Sequence, residues 1–428
     1  VRRRRRWLAV KQFCQARTTG IYNPVMQPIY LDHNATTTLL PEVASAMAEC
    51  HSSAFANPES QHQFGRQARR TLEEAREGIA EILGAELSGR QPDHVIFTSG
   101  GTEANNLALF GLSGGLDSAA GRILISSIEH PSVAEPARFL ARRGWQVDRL
   151  PVSQRGVIEK GDILLYLPVD RAGGADERGK SRMSPFLVSV MLANNETGVI
   201  QPIRELAAAC YAAGVPLHTD AVQAVGKIPV NFRELGVTAM TIAAHKFHGP
   251  RGIGALVVRG GTPLAPQMFG GFQQHALRPG TEPVALAVGM HVALKIFARE
   301  QTERRERMTR LRDRFEAALL AADPSAVIHG AEVERLPNTT CIAFPCLDRQ
   351  ALVMALDMAG IACSTGSACA SGSSEPSPTL VAMGLPNELT GSSIRFSLGA
   401  TTTAEMVDQA IERIVKVLST SRIHSNSF

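Results

Sequence analysis

Three short stretches bring together residue types that do chemistry. "TSGGTEANN" (Thr98 to Asn106) sets Gly100 and Gly101 ahead of Thr102, where a helical pattern opens. "HTDAVQA" puts Asp220 at the end of an apolar strand pattern, with Gln223 three residues on. "AAHKFHGPRG" puts Lys246 beside His245 at another strand end, before a Gly-Pro turn. Exposed N–H groups at a helix N-terminus favour a phosphate. A carboxylate at the end of a buried strand is costly without a cationic partner, such as a protonated pyridinium nitrogen or a metal. A lysine held in a cleft near cationic groups becomes a nucleophile for carbonyl compounds. Each stretch has an ordinary alternative: Thr102 as a helix cap, Asp220 as another, Lys246 as a solvated surface residue. Taken together and in this order, they offer the phosphate cup, the ring-nitrogen acid and the lysine that pyridoxal phosphate needs.

A fourth stretch is "GIACSTGSACASGSSEPSP" (Gly360 to Pro378), with Cys363 and Cys369 among Ser, Gly, Ala and Thr. Free cysteine usually packs like a small hydrophobe, yet this composition reads as a mobile loop with little to bury. The chain has seven cysteines, an odd number, with no CxxC. That excludes a disulfide framework or a zinc site and implies a reducing, intracellular setting. "GADERGKS" (Gly174 to Ser181) matches a phosphate-loop pattern, but Met183-Ser184-Pro185 and a strand pattern follow where that loop requires a helix. Its Asp176 and Glu177 would also face the phosphate, so an ATPase is not expected.

The elements that must position these residues alternate. "HVIFTSGGTEANNLALFG" reads strand, turn, helix, and "GRILISSIEHPSVAEPARFLARRG" repeats the order. "FLVSVMLANNE", "VPLHTDAVQAVG" and "AMTIAAHKFHG" are further strands ending in polar residues. Such alternation predicts a mostly parallel sheet flanked by helices, with ligands bound beyond the carboxyl ends of its strands. Residues 66–84 read as a helix ending at Gly84, and 291–322 as a long charged helix leading into a smaller C-terminal domain. The organisation expected is a basic tail over 1–26, a large domain over 27–290 with a surface insertion at 170–183, and a small domain over 291–428. Length (428 residues), 44% hydrophobic and 20% charged residues are those of a globular enzyme. A net charge of +4 is too weak to argue for nucleic acid, and no apolar run is long enough for a membrane span. Arg2 to Arg6 lie in a stretch without acidic residues. We read it as a disordered basic tail, with a transit peptide as the alternative.

The ordered set "YLDHNATT", "FTSGGTEANN", "SSIEHPSV", "MLANNETG", "HTDAVQAVGK", "AHKFHGPRGIGAL", "RPGTEPV", "STGSACASGSSEPSPTLVAMG" and "SIRFSLG" resembles the cysteine desulfurases, the NifS/IscS-like branch of the class V aminotransferases. The likeness runs from about Ile29 to about Ile414. It implies the α/β type I fold of pyridoxal-phosphate enzymes, with a mostly parallel sheet in a large domain, a smaller α+β domain and a homodimer. It also implies that Lys246 binds the cofactor aldehyde, Asp220 the pyridinium nitrogen and Gln223 the ring oxygen. His130 would stack on the ring; Gly101, Thr102 and His245 would hold the phosphate, and Thr281 would reach the phosphate of the other subunit. Asn195 and Arg395 would bind the substrate carboxylate, for which the planar fork of Arg is suited. Ala243 departs from the family's phosphate-binding hydroxyl, and Arg251 stands where Lys is commoner.

In this resemblance Cys369 is the nucleophile. Its thiolate attacks the sulfur of L-cysteine, alanine leaves, and the persulfide is passed to a protein acceptor such as an iron–sulfur scaffold or a tRNA-thiolation carrier. A thiol that visits the cofactor and then presents its cargo needs a flexible arm, whereas Cys363 reads as a small buried residue. Lys246 is taken as the only lysine in a matched cofactor motif. Selenocysteine lyase is the rival reading. The cytoplasm is the expected compartment, or the mitochondrial matrix if the N-terminus is a transit peptide.

Overall fold

The computed structural model describes residues 27–115, 120–167, 187–366 and 375–425. The basic tail, the 170–183 insertion with its phosphate-loop look-alike, and Cys369 lie outside the described residues. In chain order the strands are β1 (Ile29–Tyr30), β2 (His94–Thr98), β3 (Arg122–Ser126), β4 (Gln146–Leu150), β5 (Leu187–Ser189) and β6 (Leu217–Asp220). Then come β7 (Ala239–Ala243), β8 (Gly254–Val258), β9 (Val327–Ile328), β10 (Thr339–Ala343), β11 (Ile361–Ala362) and β12 (Ser393–Ser397).

The main sheet has seven strands in the order β2-β8-β7-β6-β5-β3-β4. Only β8 runs against its neighbours; the others are parallel. Their carboxyl ends therefore gather along one edge. The apolar runs RILIS, AMTIA and GALVV are buried at every position, as expected for strands covered on both faces. The rim strand β4 (QVDRL) is instead polar and partly exposed. Gly254 begins β8 where a Cβ would lie 2.6 Å from the Gly100 carbonyl carbon and 2.7 Å from the Ile242 oxygen. Only a glycine lets the loop after β2 pass this close.

The helix Gln63–Leu83 buries Ala68, Leu72, Ala75, Ile79 and Leu83, one face at helical spacing, and stops at Gly84 in the left-handed conformation (φ 69°). It packs on a 39-residue helix, Val284–Ala322. That helix starts seven residues before the expected 291, directly after Pro283. Its first half (Val284, Met290, Leu294) belongs to the core beneath the large sheet. Its second half (Leu311, Phe315, Leu319) belongs to a separate core with Phe344 and Phe396. The boundary drawn at 290/291 thus falls inside one continuous helix. The second core carries the sheet β12-β10-β9. It also takes in β1, which pairs in parallel with β11 and buries Ile29 and Leu31 there. Residues 27–31, expected with the large domain, therefore pack on the C-terminal unit. No helix among the described residues is long and apolar enough to cross a membrane.

His218 is buried in β6 and ties three strands together. Its Nδ1 lies 2.9 Å from Ser189 Oγ on β5 and its Nε2 3.0 Å from Thr241 Oγ1 on β7. Burial holds its pKa down to about 3, and that of His33 likewise to about 3. Both are therefore neutral when folded, but each binds a proton below about 6.5 once unfolded. Stability rises with pH wherever the unfolded chain binds more protons, by about 1.4 kcal/mol per pH unit for each such group. The contribution is complete above about pH 6.5 and is lost as pH falls toward the folded values. We expect the melting temperature to drop steadily from pH 7 to pH 5, with a shallower slope in His218→Gln; equal slopes in the two proteins would contradict this.

Candidate active site

The gathered strand ends deliver most of the residues singled out in the sequence. Asp220 is the last residue of β6. β7 ends at Ala243 and turns at once through His245 and Lys246. β2 leads through Gly100 into the helix Gly101–Leu112. His130 follows β3 as the N-cap of the helix Pro131–Arg142. With Asn195 and Gln223 these residues line a cavity of ≈ 200 Å³.

The helix starts at Gly101 with Gly100 as N-cap, so Thr102 is not its cap. Gly100 offers no capping side chain, and the first-turn N–H groups remain available to an anion. Thr102 is exposed and lines the cavity. A Cβ on Gly101 would lie 2.9 Å from Val222 Cγ2 and 3.4 Å from Ala243 Cβ. The two small residues Gly101 and Ala243 thus let the helix start sit close against the end of β7.

Asp220 does two jobs at once. Its Oδ1 accepts the Val222 N–H at 2.9 Å, which is the ordinary capping role. Its Oδ2 accepts from Asn105 Nδ2 at 2.7 Å, and Asn105 Nδ2 also donates to Ser132 Oγ at 2.8 Å. Ser132 Oγ lies 2.8 Å from His130 Nδ1, which accepts the Ser132 N–H at 3.1 Å. Nδ1 is thereby an acceptor, so the ring carries its proton on Nε2. Burial lowers the His130 pKa, against the pull of Asp220, and keeps the ring neutral. Burial, with Lys246 and Arg251 beside it, also lowers that of His245 to about 4. His245 therefore offers a ring nitrogen to an anion rather than a charge.

Lys246 Nζ donates to the main-chain oxygens of Asn34 (2.6 Å) and Ala35 (2.9 Å). Arg395, on β12, is 1% exposed. Its Nη2 meets Asp32 Oδ1 at 2.6 Å, and its Nη1 donates to the carbonyls of Asn195 (3.0 Å) and Gly366 (3.1 Å). Its Nε has no partner among the described residues. A wider cavity of ≈ 500 Å³ shares His130, Asn195, Gln223 and Lys246 with the first and adds Asn34, Arg395 and Glu375. Gly366 and Glu375 are the described residues on either side of the segment that holds Cys369. Glu196 meets both flanks: it accepts from Ser377 Oγ at 2.6 Å, and a Cβ on Gly366 would collide with its carboxylate. Burial raises the Glu196 pKa.

Cys363 packs against the second core, and burial, with Asp32 and Asp357 nearby, pushes its thiol up to about 12. A thiol that stays protonated is a poor nucleophile. Thr281 is exposed and lines neither cavity. Sequence reasoning passed over Asn34, Asn105, Ser132 and Glu196, all of which lie inside the motifs it quoted. It also took Lys246 to be the only lysine in such a motif. That is corrected by Lys227 of "HTDAVQAVGK", which is buried and donates to Asn34 Oδ1 at 2.8 Å and Gln223 Oε1 at 2.5 Å.

The Aminotransferase class-V profile matches residues 29–410. The chain is 41% identical over 395 residues to a cysteine desulfurase IscS of Dictyoglomus turgidum, covering 92% of this chain and 95% of that protein. It is 37% identical over 403 residues to the cysteine desulfurase NifS of Azotobacter vinelandii, covering 93% and 94%. Among solved structures, a NifS-like protein from Rickettsia africae superposes with a TM-score of 0.80 at 32% identity, covering 92% of this chain and all of that one. The strand-end site is thus built on the fold of pyridoxal-phosphate enzymes, and the chain belongs to the class-V aminotransferase family, in its cysteine desulfurase branch.

Proposed function

We propose that the chain takes sulfur from L-cysteine as a persulfide on Cys369, with pyridoxal phosphate held in the ≈ 200 Å³ cavity. The observation that carries this reading is the meeting of Cys369's flanks with the site: Gly366 bonds Arg395, and Glu375 lines the same cavity as Lys246. The residues present fit the cofactor. The uncapped helix start at Gly101 and Thr102, with His245, suits its phosphate. Asp220 suits its ring nitrogen, Gln223 its ring oxygen, the neutral ring of His130 its face, and Lys246 its aldehyde. Ala243 removes one hydroxyl from the phosphate set and leaves the helix N–H groups to carry more of the anion. When bound, the cofactor supplies an electron sink for the substrate α-carbon.

Arg395 and Asn195 orient the substrate carboxylate. The fork of Arg395 is preset by Asp32 and by two carbonyls, so little ordering is left for binding. Lys246 removes the α-proton. The Cys369 thiolate then attacks the substrate sulfur. An S–S bond forms as the C–S bond breaks, the electron pair of the broken bond stays with the β-carbon, which takes up a proton, and return of the α-proton from Lys246 completes L-alanine. No outside oxidant is needed, because the substrate carbon takes the electron pair and is reduced as the sulfur is oxidised to the persulfide level. A protein thiol acceptor then takes that sulfur, and a reducing compartment, the cytoplasm in our reading, preserves both thiols. Selenocysteine lyase shares the cofactor chemistry, and nothing favours it over desulfuration.

Lys246→Ala should lose the visible band of bound cofactor and all sulfide release, read by absorbance and by a sulfide assay with L-cysteine; retained turnover would refute the assignment. Cys369→Ser should keep the band but form no persulfide, since a hydroxyl cannot accept sulfur. Cys363→Ser should stay within about threefold of wild type, because its thiol is held protonated. Mass spectrometry after brief L-cysteine treatment locates the extra sulfur, and finding it on Cys363 would reverse the two roles. A homodimer is also part of this reading. Thr281 is exposed, and Phe269 and Phe272 beside the Gly270-Gly271 turn are 87% and 89% exposed, which suits a covered face. Sedimentation should give a dimer; a fully active monomer would rule out a contribution of Thr281 across subunits.

A further inference from the structure

Lys227 is 4% exposed, and no carboxylate pairs with it among the described residues. Its two hydrogen-bond acceptors, Asn34 Oδ1 and Gln223 Oε1, are both neutral. Asn34 also receives Lys246 on its main-chain oxygen, so one asparagine holds both amines. Gln223 Nε2 donates to that same oxygen at 3.0 Å, closing a ring of contacts at the cavity wall. The charged and titratable groups around Lys227 are Lys246, Arg395, His33, His245 and His248. Each of these is cationic or neutral; the two carboxylates near the site, Asp32 and Asp220, are engaged by Arg395 and by Asn105 and the Val222 N–H. A buried amine among cations sheds its proton; burial first, then Lys246 and Arg395, lower the Lys227 pKa well below its ordinary value. A neutral amine has two N–H groups, and two acceptors await them; an ammonium would bring a third N–H. The amine is therefore an uncharged strut beside the lysine that takes the cofactor.

We propose that Lys227 is a positioning residue of the cofactor site, its amine pinning Asn34 and Gln223 so that Asn34 presents its carbonyl to Lys246 and Gln223 stays at the cavity wall. This rests on the reading of Lys246 given above. It goes beyond it in assigning a second, non-covalent lysine whose neutrality leaves Lys246 as the sole changing charge of the pair.

The test uses the full-length chain, with pyridoxal phosphate as probe and two variants. In Lys227→Met, both hydrogen bonds are lost while the electrostatics stay as they are. The Kd for pyridoxal phosphate should rise about tenfold or more, equivalent to about 1.4 kcal/mol, with the pH midpoint of the visible band nearly unmoved. In Lys227→Arg, a charge that cannot be shed stands beside Lys246. The pH midpoint should then fall by about one unit or more. Borohydride reduction followed by peptide mapping should label Lys246 alone in all three proteins. A Met variant with wild-type Kd, a change confined to equal losses of melting temperature with and without cofactor, or an Arg variant with an unmoved midpoint would each overturn the proposal. Label on Lys227 in the wild type would instead overturn the reading of Lys246 on which it rests.

Discussion

The site depends on one asparagine whose hydrogen-bonding capacity is completely used. Asn34 has one N–H, a carbonyl with two lone pairs, and a side-chain amide with two donors and two acceptor sites. Its N–H goes to Ser397 Oγ and its amide nitrogen to Asn195 O and Thr339 Oγ1. Its carbonyl accepts from Lys246 and Gln223, and its amide oxygen from Lys227 and Asn338. Three of these partners (Ser397, Thr339 and Asn338) lie on or beside the strands of the small sheet; Lys246, Gln223, Lys227 and Asn195 follow strands of the large one. A residue that is 1% exposed has no water to replace a missing partner, so losing any one leaves a buried polar group unpaired. The two cores are thereby held in one relative arrangement at the point where the chemistry is placed.

The charge distribution follows from the same crowding. Lys246, Lys227, Arg395 and two histidines share a small volume, with Asp32 and Asp220 as the nearby carboxylates. Desolvation and mutual repulsion are relieved by discharging the groups that can discharge, namely the histidines and Lys227. Arg395 cannot discharge and is the one given a carboxylate, Asp32. Asp220 is shielded from its acidic neighbour in another way. Glu129 is pushed well above the ordinary carboxylate range by burial and by Asp220, and so stays protonated beside it.

What the sequence made legible were features with a local signature. An apolar run ending in Asp or in His-Lys marks a strand end, and Gly-Gly before Thr marks an uncapped helix start, whatever the rest of the chain does. The parallel sheet, the Gly84 helix stop and the grouping of Asp220, Lys246 and Thr102 follow from such signals, whereas His130 comes only from the family resemblance. Asn34 and Lys227 carry none. Asn34 reads as an ordinary loop asparagine until residues 304 and 363 positions away close on it. A lysine one turn after Gln223 reads as surface until the fold buries it. The continuity of the helix across 290/291 escaped the sequence reading for a related reason. The helix Val284–Ala322 changes the core it faces part-way along while its backbone stays regular, and composition does not register a change of partner.

This arrangement bears on why a desulfurase needs two units at all. Lys246, proposed to move the proton, sits in the turn after β7, and Asp220, proposed for the ring nitrogen, ends β6. Arg395, proposed to bind the substrate carboxylate, and the described residues on both sides of the Cys369 segment come from the C-terminal part of the chain, and Glu196 of the large unit touches both flanks. In the proposed reaction, substrate recognition therefore falls to the C-terminal part of the chain and the ring-nitrogen acid to the large sheet. The α-carbon must be held against one wall while its sulfur is offered to the other. A cleft between two cores, latched by Asn34, supplies both walls at a fixed separation.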